Sequence, residues 1–496
     1  MINITAIAPN LLLLKDDMFT TGIPYMPVGL AYIVGELMEK FKFNSKFKNT
    51  ANINVIDAFA ENPNQWWIDG EFIVRGLTPS EVSERVGKFN SNYVIIYAST
   101  LIAHNSIVNI CRKLRSDFPH LTIAIIENTQ AVTAYSLSDP DVQSDLYASG
   151  VNKIICGDPE EEIFKLINLA YQSAHTETNN LDHLAFAAFE LFPLQNYWNL
   201  KYAHGPFQSK SYLPIITSRG CPYTCGFCVI PTTNHRRWRY KSAKRVVEEI
   251  KYYIKRFNVF EFHLEDVNPT VSDQRIQEIA QEIIKQKLKI TWKICAGTKP
   301  ETIRSEQTLA LMAESGLNYI SISPESGSPE VMKKINKPFD LDHSINLIKK
   351  TGQLKIYSQA CFVLGFPGET NYDLQMTKQM LLKLTKAGLD EVALFIVTPV
   401  PGSKIFKEGS LKGFKNYSDL NFSPKWRSDY HELNLFRLKL YRSFLLWKFR
   451  YHPLKIILQP FRFIFRRFQT KMEMVPYRAI HTYLMSKNLI GKKINL

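Results

Sequence analysis

No run of apolar residues in this 496-residue chain reaches the ~18 that a membrane-spanning helix needs. Nor does a charged, then apolar, then small-residue leader open it, so a cytoplasmic location is expected. Cysteine is scarce. There are seven, an odd number, and only three lie close together, which excludes a disulfide framework and suits a reducing compartment. Cys111, Cys156, Cys295 and Cys361 stand singly in apolar strand or helix patterns and are expected to be buried, inert thiols. Acidic residues are outnumbered, 46 against 61 Lys and Arg, giving a net charge of +15 whose excess is concentrated near the C-terminus. At this length two or three domains are expected.

The three clustered cysteines organise the rest. They lie in Ser218-Arg219-Gly220-Cys221-Pro222-Tyr223-Thr224-Cys225-Gly226-Phe227-Cys228, just after the strand-forming run Leu213–Thr217. Thiolates at C-x3-C-x2-C spacing, in a loop loosened by Gly220 and Gly226, can wrap one corner of an iron–sulfur cube. Three ligands leave one of four irons open for another molecule. The alternative is structural zinc, which takes four N/S ligands. No fourth ligand is in register, because His235 follows seven residues later inside a basic run.

This stretch resembles the signature of the radical S-adenosylmethionine (radical SAM) superfamily, C-x3-C-x-aromatic-C, with Phe227 at the aromatic position. The resemblance implies that Cys221, Cys225 and Cys228 ligate a [4Fe-4S] cluster, that the open iron chelates the amino and carboxylate groups of S-adenosyl-L-methionine (SAM), and that Phe227 neighbours the adenine. An electron from the cluster then cleaves the sulfonium to a 5′-deoxyadenosyl radical.

The chain before the cysteines, residues 1–171, alternates short apolar strands (Ile2–Ala8, Ile53–Asp57, Tyr93–Ala98, Thr122–Ile126, Asn152–Cys156) with helices. Thr78-Pro79-Ser80-Glu81 is a helix start with a capping hydroxyl and a carboxylate three residues on. A Rossmann-like parallel sheet is expected, with ligands beyond the carboxyl ends of its strands. Pro27-Val28-Gly29-Leu30-Ala31-Tyr32, Val55-Ile56-Asp57-Ala58 and Ile155-Cys156-Gly157-Asp158-Pro159-Glu160-Glu161 resemble the cobalamin (B12)-binding domain fused to one branch of the superfamily, which includes methylases and the anaerobic magnesium-protoporphyrin ester cyclase. No Asp-x-His-x-x-Gly occurs, so no protein histidine is expected on cobalt. The family's Gly-Gly turn after the fourth strand is here Glu127-Asn128-Thr129.

A linker at 172–210 leads to 211–405, where strand and helix alternate six times, the pattern of a partial (β/α)6 TIM-type barrel with its chemistry at the C-terminal strand ends. Motifs fall there in order: the cysteine loop after strand one and Glu265-Asp266-Val267-Asn268 after strand two. Ser321-Ile322-Ser323-Pro324-Glu325-Ser326-Gly327-Ser328 follows strand four, Gly365-Phe366-Pro367-Gly368-Glu369 strand five and Pro399-Val400-Pro401-Gly402-Ser403 strand six. By resemblance Glu265 and Asp266 hold the amino group of SAM, and Ser323 and Glu325 approach its ribose or methionine part. The run Arg236–Lys241 mixes cations with aromatics, yet the family carries an arginine near the cluster loop here, so a local role is expected and nucleic acid is not the expected partner.

Residues 406–496 form a helical, basic C-terminal region. Its first half is expected to close the barrel. Leu454–Phe468, both basic and aromatic and broken by Pro453 and Pro460, is weighed as a peripheral contact with the inner face of a membrane. The expected activity is reductive cleavage of SAM and attack on an unactivated carbon of a small-molecule or lipid-like substrate, by methyl transfer or by radical rearrangement or cyclisation with cobalamin. A flavodoxin or ferredoxin would be the electron donor, and no catalytic residue is assigned. The rivals are a cobalamin-free radical SAM enzyme with a vestigial first domain and a non-enzymatic iron–sulfur partner protein. An RNA-modifying methylthiotransferase would carry a second cysteine triad, and only Cys111 and Cys156 lie in the first domain.

Overall fold

The computed structural model describes residues 2–15, 22–43, 51–167 and 179–490. Two parallel sheets dominate it. The first has five strands in the order Ala51–Asp57, Ile2–Ala8, Tyr93–Ala98, Thr122–Glu127, Lys153–Ile155. Its strands are nearly all apolar because helices cover both faces. A small antiparallel sheet, Leu11–Leu14 with Phe72–Arg75 and Trp66–Asp69, flanks it and had no counterpart in the sequence reading. The helix Pro79–Lys88 begins as expected, with the Thr78 hydroxyl accepting from the Glu81 amide and the Glu81 carboxylate accepting from the Thr78 amide.

The second sheet has six parallel strands in the order Glu391–Ile396, Tyr357–Leu364, Leu317–Glu325, Thr291–Thr298, Glu261–Leu264, Leu213–Ile215. Each is followed by helical chain, and the two outer strands are not paired with each other, which is the strand complement of the expected partial barrel. One face is unusually polar. Lys293 pairs with Glu261 at 2.7 Å, His263 shares that carboxylate at 2.9 Å, Ser321 donates to Gln359 at 2.7 Å, and Tyr319 donates to Glu391. The helix Lys471–Ile490 closes the lower end of this face. Its Lys471 ammonium donates to the Cys295 carbonyl at 2.8 Å and its Met472 amide to Glu391 at 2.7 Å.

The chain joining the sheets is no free linker. Most of Gln172–Asn180 and the boundary at 171 lie outside the described residues, but from Leu181 the chain is buried between the sheets. Phe189, Tyr197 and Tyr202 join one continuous apolar core that runs from Ile4 and Ile95 to Ile294 and Leu394. A polar knot crosses the same junction: Glu249 accepts from Tyr32 at 2.6 Å, Tyr253 at 2.9 Å and Lys241 at 2.5 Å. The end of the expected basic run therefore turns inward, while Arg236 and Arg237 stay exposed. Trp238–Tyr240 forms a strand, and Lys241 is fully buried. Cys156 departs from expectation too. It is exposed, because the strand ends at Ile155 and the next residue leaves the sheet.

Candidate active site at the mouth of the second sheet

The strand Leu213–Ile215 leads into Ser218–Gly220, which pairs antiparallel with Trp238–Tyr240 and so presents residues 221–228 as a hairpin loop. Gly220 makes the turn at φ +80°, where a Cβ would come within 2.2 Å of the Arg237 carbonyl, so only glycine fits. The Gly226 amide donates to the Ile335 carbonyl at 2.9 Å and its carbonyl accepts from the Ile405 amide at 3.1 Å, tying the loop to the segments after strands four and six. Cys221, Cys225 and Cys228 are half-buried. Burial pushes all three thiols up, Cys221 to about 11, while the Lys337 ammonium acts in the opposite direction on each.

Among the described residues, the trio of His, Cys, Asp or Glu ligand atoms that closes within 4.8 Å is His263, Glu265 and Cys295, not the loop cysteines. The loop thiols are therefore not gathered around one ion as a zinc site requires, whereas a cluster takes each thiolate on a separate iron. The other trio is packed shut. A Cβ on Gly205 would lie 2.4 Å from the Cys295 sulfur and 2.8 Å from His263 Nδ1.

The remaining residues singled out by sequence divide into two groups. Phe227 stands against Phe366, ring centroids 5.4 Å apart at 63°, in an apolar group with Met332 and Val397. Ser323 is half-buried at the same strand end, with its hydroxyl facing Gly297. Glu325 is buried, takes φ +60° and pairs with Lys337 at 2.5 Å. A non-glycine residue at that φ is strained, and the ion pair holds it there. Of these, Phe227 lies in the loop itself, and Glu325 and Lys337 stand close enough to act on the Cys225 thiol.

Asp266 does not face the loop. Its carboxylate is buried and accepts from the Thr217 amide at 2.7 Å and from the Thr217 and Ser218 hydroxyls at 2.6 Å each, so it positions the strand before the cysteines. Glu265 points elsewhere again, to His204 at 2.6 Å.

Between the two sheets lies a crevice. One part is bounded by Asn10, Asp57, Leu101 and Thr133 at the carboxyl ends of the first sheet's strands and by Val400 and Leu420 opposite. The last two belong to the same apolar cluster against which Cys221 and Cys228 pack. A second part shares Tyr25, Ser99 and Thr133 with the first and is lined by His204, Tyr212 and Glu265. Burial holds the His204 ring below its ordinary value despite Glu265, so at neutral pH it is uncharged. Glu127-Asn128-Thr129 is consumed internally. Glu127 accepts from the Gly157 and Leu137 amides at 2.8 Å each, Asn128 donates to the Ser99 carbonyl at 2.6 Å, and the Thr129 carbonyl accepts from Asn234 at 2.8 Å.

Residues 215–398 match the family model described as the radical SAM superfamily. That segment of the chain is a radical SAM domain. An uncharacterized methyltransferase, PH0819, of Pyrococcus horikoshii is 24% identical over 413 residues, 79% of this chain and 80% of that protein. The anaerobic magnesium-protoporphyrin IX monomethyl ester cyclase of Rubrivivax gelatinosus is 30% identical over 211 residues, 42% of this chain but only 36% of that protein. The structure of the radical SAM methyltransferase TsrM from Kitasatospora setae, with cobalamin and a [4Fe-4S] cluster bound, superposes with a TM-score of 0.57 at 12% identity, covering 82% of this chain and 78% of that one. At that identity the likeness is one of fold, and it extends over both sheets of this radical SAM enzyme.

Two residues of the radical SAM site escaped the sequence reading. Lys337, in the loop after the Glu-Ser-Gly-Ser segment, carries no periodic or motif signal, and only its proximity to the three thiols reveals it. His204 sits in what reads as linker.

Proposed function

We propose that this radical SAM enzyme holds a [4Fe-4S] cluster on Cys221, Cys225 and Cys228, binds SAM between Phe227, Ser323 and Glu325, and acts on an unactivated carbon of a substrate seated in the crevice. The observation that carries this reading is the placement of three half-buried thiols, faced by Lys337 and Lys299, against the apolar cluster that includes Val400 and Leu420 of a crevice walled by both sheets. When bound, the reduced cluster supplies the electron that cleaves SAM, and cobalamin supplies a carrier for a methyl group or a radical partner for rearrangement or cyclisation. The donor set suits these groups. Three thiolates make a site for a cluster with an open iron, and the apolar crevice beyond the carboxyl ends of a parallel sheet is where such folds take a large cofactor.

The chain's own residues do the positioning. Lys337 balances the charge of the thiolates. Glu325, locked by Lys337, turns a strained strand end toward the cysteine loop. The His204–Glu265 pair sets a carboxylate on the crevice wall, where it accepts a hydrogen bond from a substrate or cofactor donor. The apolar walls exclude water, which a radical reaction requires. A small reductant of the flavodoxin or ferredoxin type delivers the electron.

The filled turn at Glu127-Asn128-Thr129 favours a second reading, radical SAM chemistry without cobalamin. Anaerobic reconstitution with iron and sulfide, reduction, and addition of SAM with and without methylcobalamin separates the two, with 5′-deoxyadenosine and S-adenosylhomocysteine read by mass spectrometry. Methyl transfer gives both products, the second only with methylcobalamin, and rearrangement or cyclisation with cobalamin gives deoxyadenosine in an amount that depends on it. Deoxyadenosine alone, the same with and without methylcobalamin, assigns the cobalamin-free reading, and neither product from cluster-loaded protein overturns both.

A further inference from the structure

The C-terminal helices turn apolar side chains outward as well as inward. In Tyr430–Tyr451 Leu433, Leu440 and Phe444 are buried together with Arg437 and Lys448. Burial is tolerated because Arg437 donates to the Asn434 side chain and the Phe422 carbonyl, and Lys448 to the Asp390 carbonyl. The outward stripe is apolar: Leu435, Leu438, Leu445 and Phe449, spaced three, seven and four residues apart, are all exposed. A surface helix ordinarily turns a polar face outward.

The stripe continues through the next two short helices, Pro453–Ile457 and Gln459–Ile464, where no residue is buried. Leu454 is 71% exposed and Ile464 and Phe465 70% each, with Phe461 beside them at 58%. A solvent-facing apolar patch this extended marks an interaction surface.

Charge tells what covers it. From Leu433 to Met472 the sequence contains no Asp or Glu. Lys439, Arg442, Arg450, Arg466 and Arg467 are exposed along the same helices. The other cations there are already spent: Lys455 pairs with Asp390 at 2.7 Å and Arg462 with Glu473 at 3.0 Å. A second copy of the chain would set five like charges against themselves. Aromatic and aliphatic side chains interleaved with unpaired cations instead match the boundary between acyl chains and anionic headgroups. No described helix is long and apolar enough to cross a bilayer. Pro453 and Pro460, each in the first turn of its helix, break the segment into short pieces that lie along a surface.

We propose that this face docks the enzyme on an anionic lipid bilayer, with Phe461, Ile464 and Phe465 at headgroup depth and the five exposed cations against lipid phosphates. Docking extends the proposed function by naming the substrate class as membrane-dissolved and lipid-like. Only that last step rests on the proposed reaction, because the vesicle assay below reads docking without turnover.

The test is co-sedimentation of the full-length, cluster-loaded protein with vesicles of phosphatidylglycerol and phosphatidylcholine, against phosphatidylcholine alone, at low and high salt. Binding to the anionic vesicles is expected, at least tenfold weaker without the anionic lipid and weakened by salt. Neutralising Arg442 or Arg450 to Gln should each cost about fivefold, the weight of one cation near such a surface. Phe465→Asp and Ile464→Asp should reduce binding by more than about tenfold. Both positions are solvent-facing, and an unchanged thermal unfolding profile will show that the variants fold. Failure to bind anionic vesicles at low salt overturns the proposal, as does full binding by both Asp variants. A concentration-dependent dimer that Ile464→Asp abolishes, without vesicle binding, also overturns it and gives the face to a second copy.

Discussion

Removing the Arg219 guanidinium should loosen the junction between the two sheets without touching a thiol. Arg219 lies two residues before Cys221 and donates to Glu160 at 2.7 Å and to Asp158 at 3.4 Å, while Arg239 on the paired strand also holds Asp158. The Arg219 and Glu160 side chains are 8% and 7% exposed, so this is a buried pair. Breaking such a pair by removing one partner costs about 3–5 kcal/mol, chiefly from the charge left behind. In Arg219→Met, Asp158 keeps Arg239 and only Glu160 is stranded. Glu160 opens the helix Glu160–Leu166, whose N-terminal dipole offsets a few tenths. The cost should therefore sit near the low end, about 3 kcal/mol. Read by hydrogen exchange on anaerobic full-length protein, that is roughly 100-fold faster exchange of the amides in 157–163 and 218–220, because local opening scales with the free energy lost. The double variant Arg219→Met/Glu160→Gln should recover at least half of it. Exchange that is unchanged in the single variant, or no slower in the double one, would refute the claim that this pair holds the junction. The pH sense is fixed as well. Burial raises the Asp158 carboxyl, but Arg219 and Arg239 outweigh it and hold the group below its ordinary value. Its contribution is present above the unfolded carboxylate range and lost as pH falls through the lowered value.

Three further outcomes are expected. Asp57, on the crevice wall, is pushed up to about 7 by burial, against hydrogen bonds from the Ala60 amide and Tyr197. The folded protein thus holds a proton that the unfolded chain has released, and stability should fall as pH rises from about 4 to about 7. In Asp57→Asn the amide oxygen keeps the Ala60 bond, its NH2 donates to the Tyr197 oxygen in place of accepting from it, and that part of the slope, on the order of 4 kcal/mol, should vanish from Tm measured at pH 5 and pH 8, leaving the similar contributions of Glu369 and Glu391. Lys337→Met should move the cluster's reduction potential more negative by tens of millivolts in an EPR-monitored titration, since charge beside the cluster is one of its determinants. Because Lys337→Met strands Glu325, the double variant Lys337→Met/Glu325→Gln should regain stability and keep the lowered potential. An unchanged potential removes Lys337 from the site. Gly220→Ala drives a Cβ to 2.2 Å from the Arg237 carbonyl at a φ of +80°, so iron content after reconstitution should drop several-fold together with Tm.

Much of this was legible because local and global signals agreed. The helix Ala243–Phe257 and the strand Tyr357–Leu364 fall where the apolar period places them, and the strand-end motifs mark where the chain turns back over the second sheet. What stayed hidden depends on contacts distant in sequence. Asp266 reads as a presented carboxylate until Thr217 and Ser218, some fifty residues earlier, are seen to occupy it. For Arg239 and Lys241 a local role was expected, but their partners, Asp158 and Glu249, show only in the fold. Lys337 gains its meaning only from the thiols it faces. Antiparallel pairing of short strands also leaves little trace, so neither the hairpin carrying the cysteines nor the flanking three-stranded sheet was foreseen.

The same long-range contacts bear on why a chain of this kind carries three parts at all. The second sheet alone would be an open structure with a polar interior: Lys293 and Glu261 are buried charges and Glu391 a buried carboxyl, and all three need their partners kept from water. The helix beginning at Lys471 stops the lower end with direct bonds to Glu391 and to the Cys295 carbonyl. The first sheet and the connecting segment shut the other side, sharing one apolar core with the second. The enclosure is completed at the cysteine loop, where Arg219 and Arg239 reach back to Asp158 and Glu160. Loading a cluster and closing the crevice are thereby coupled through two arginines on one hairpin. A protein with the loop unligated should accordingly show the Gly157–Glu160 segment as its least protected stretch, and one with the loop filled should not.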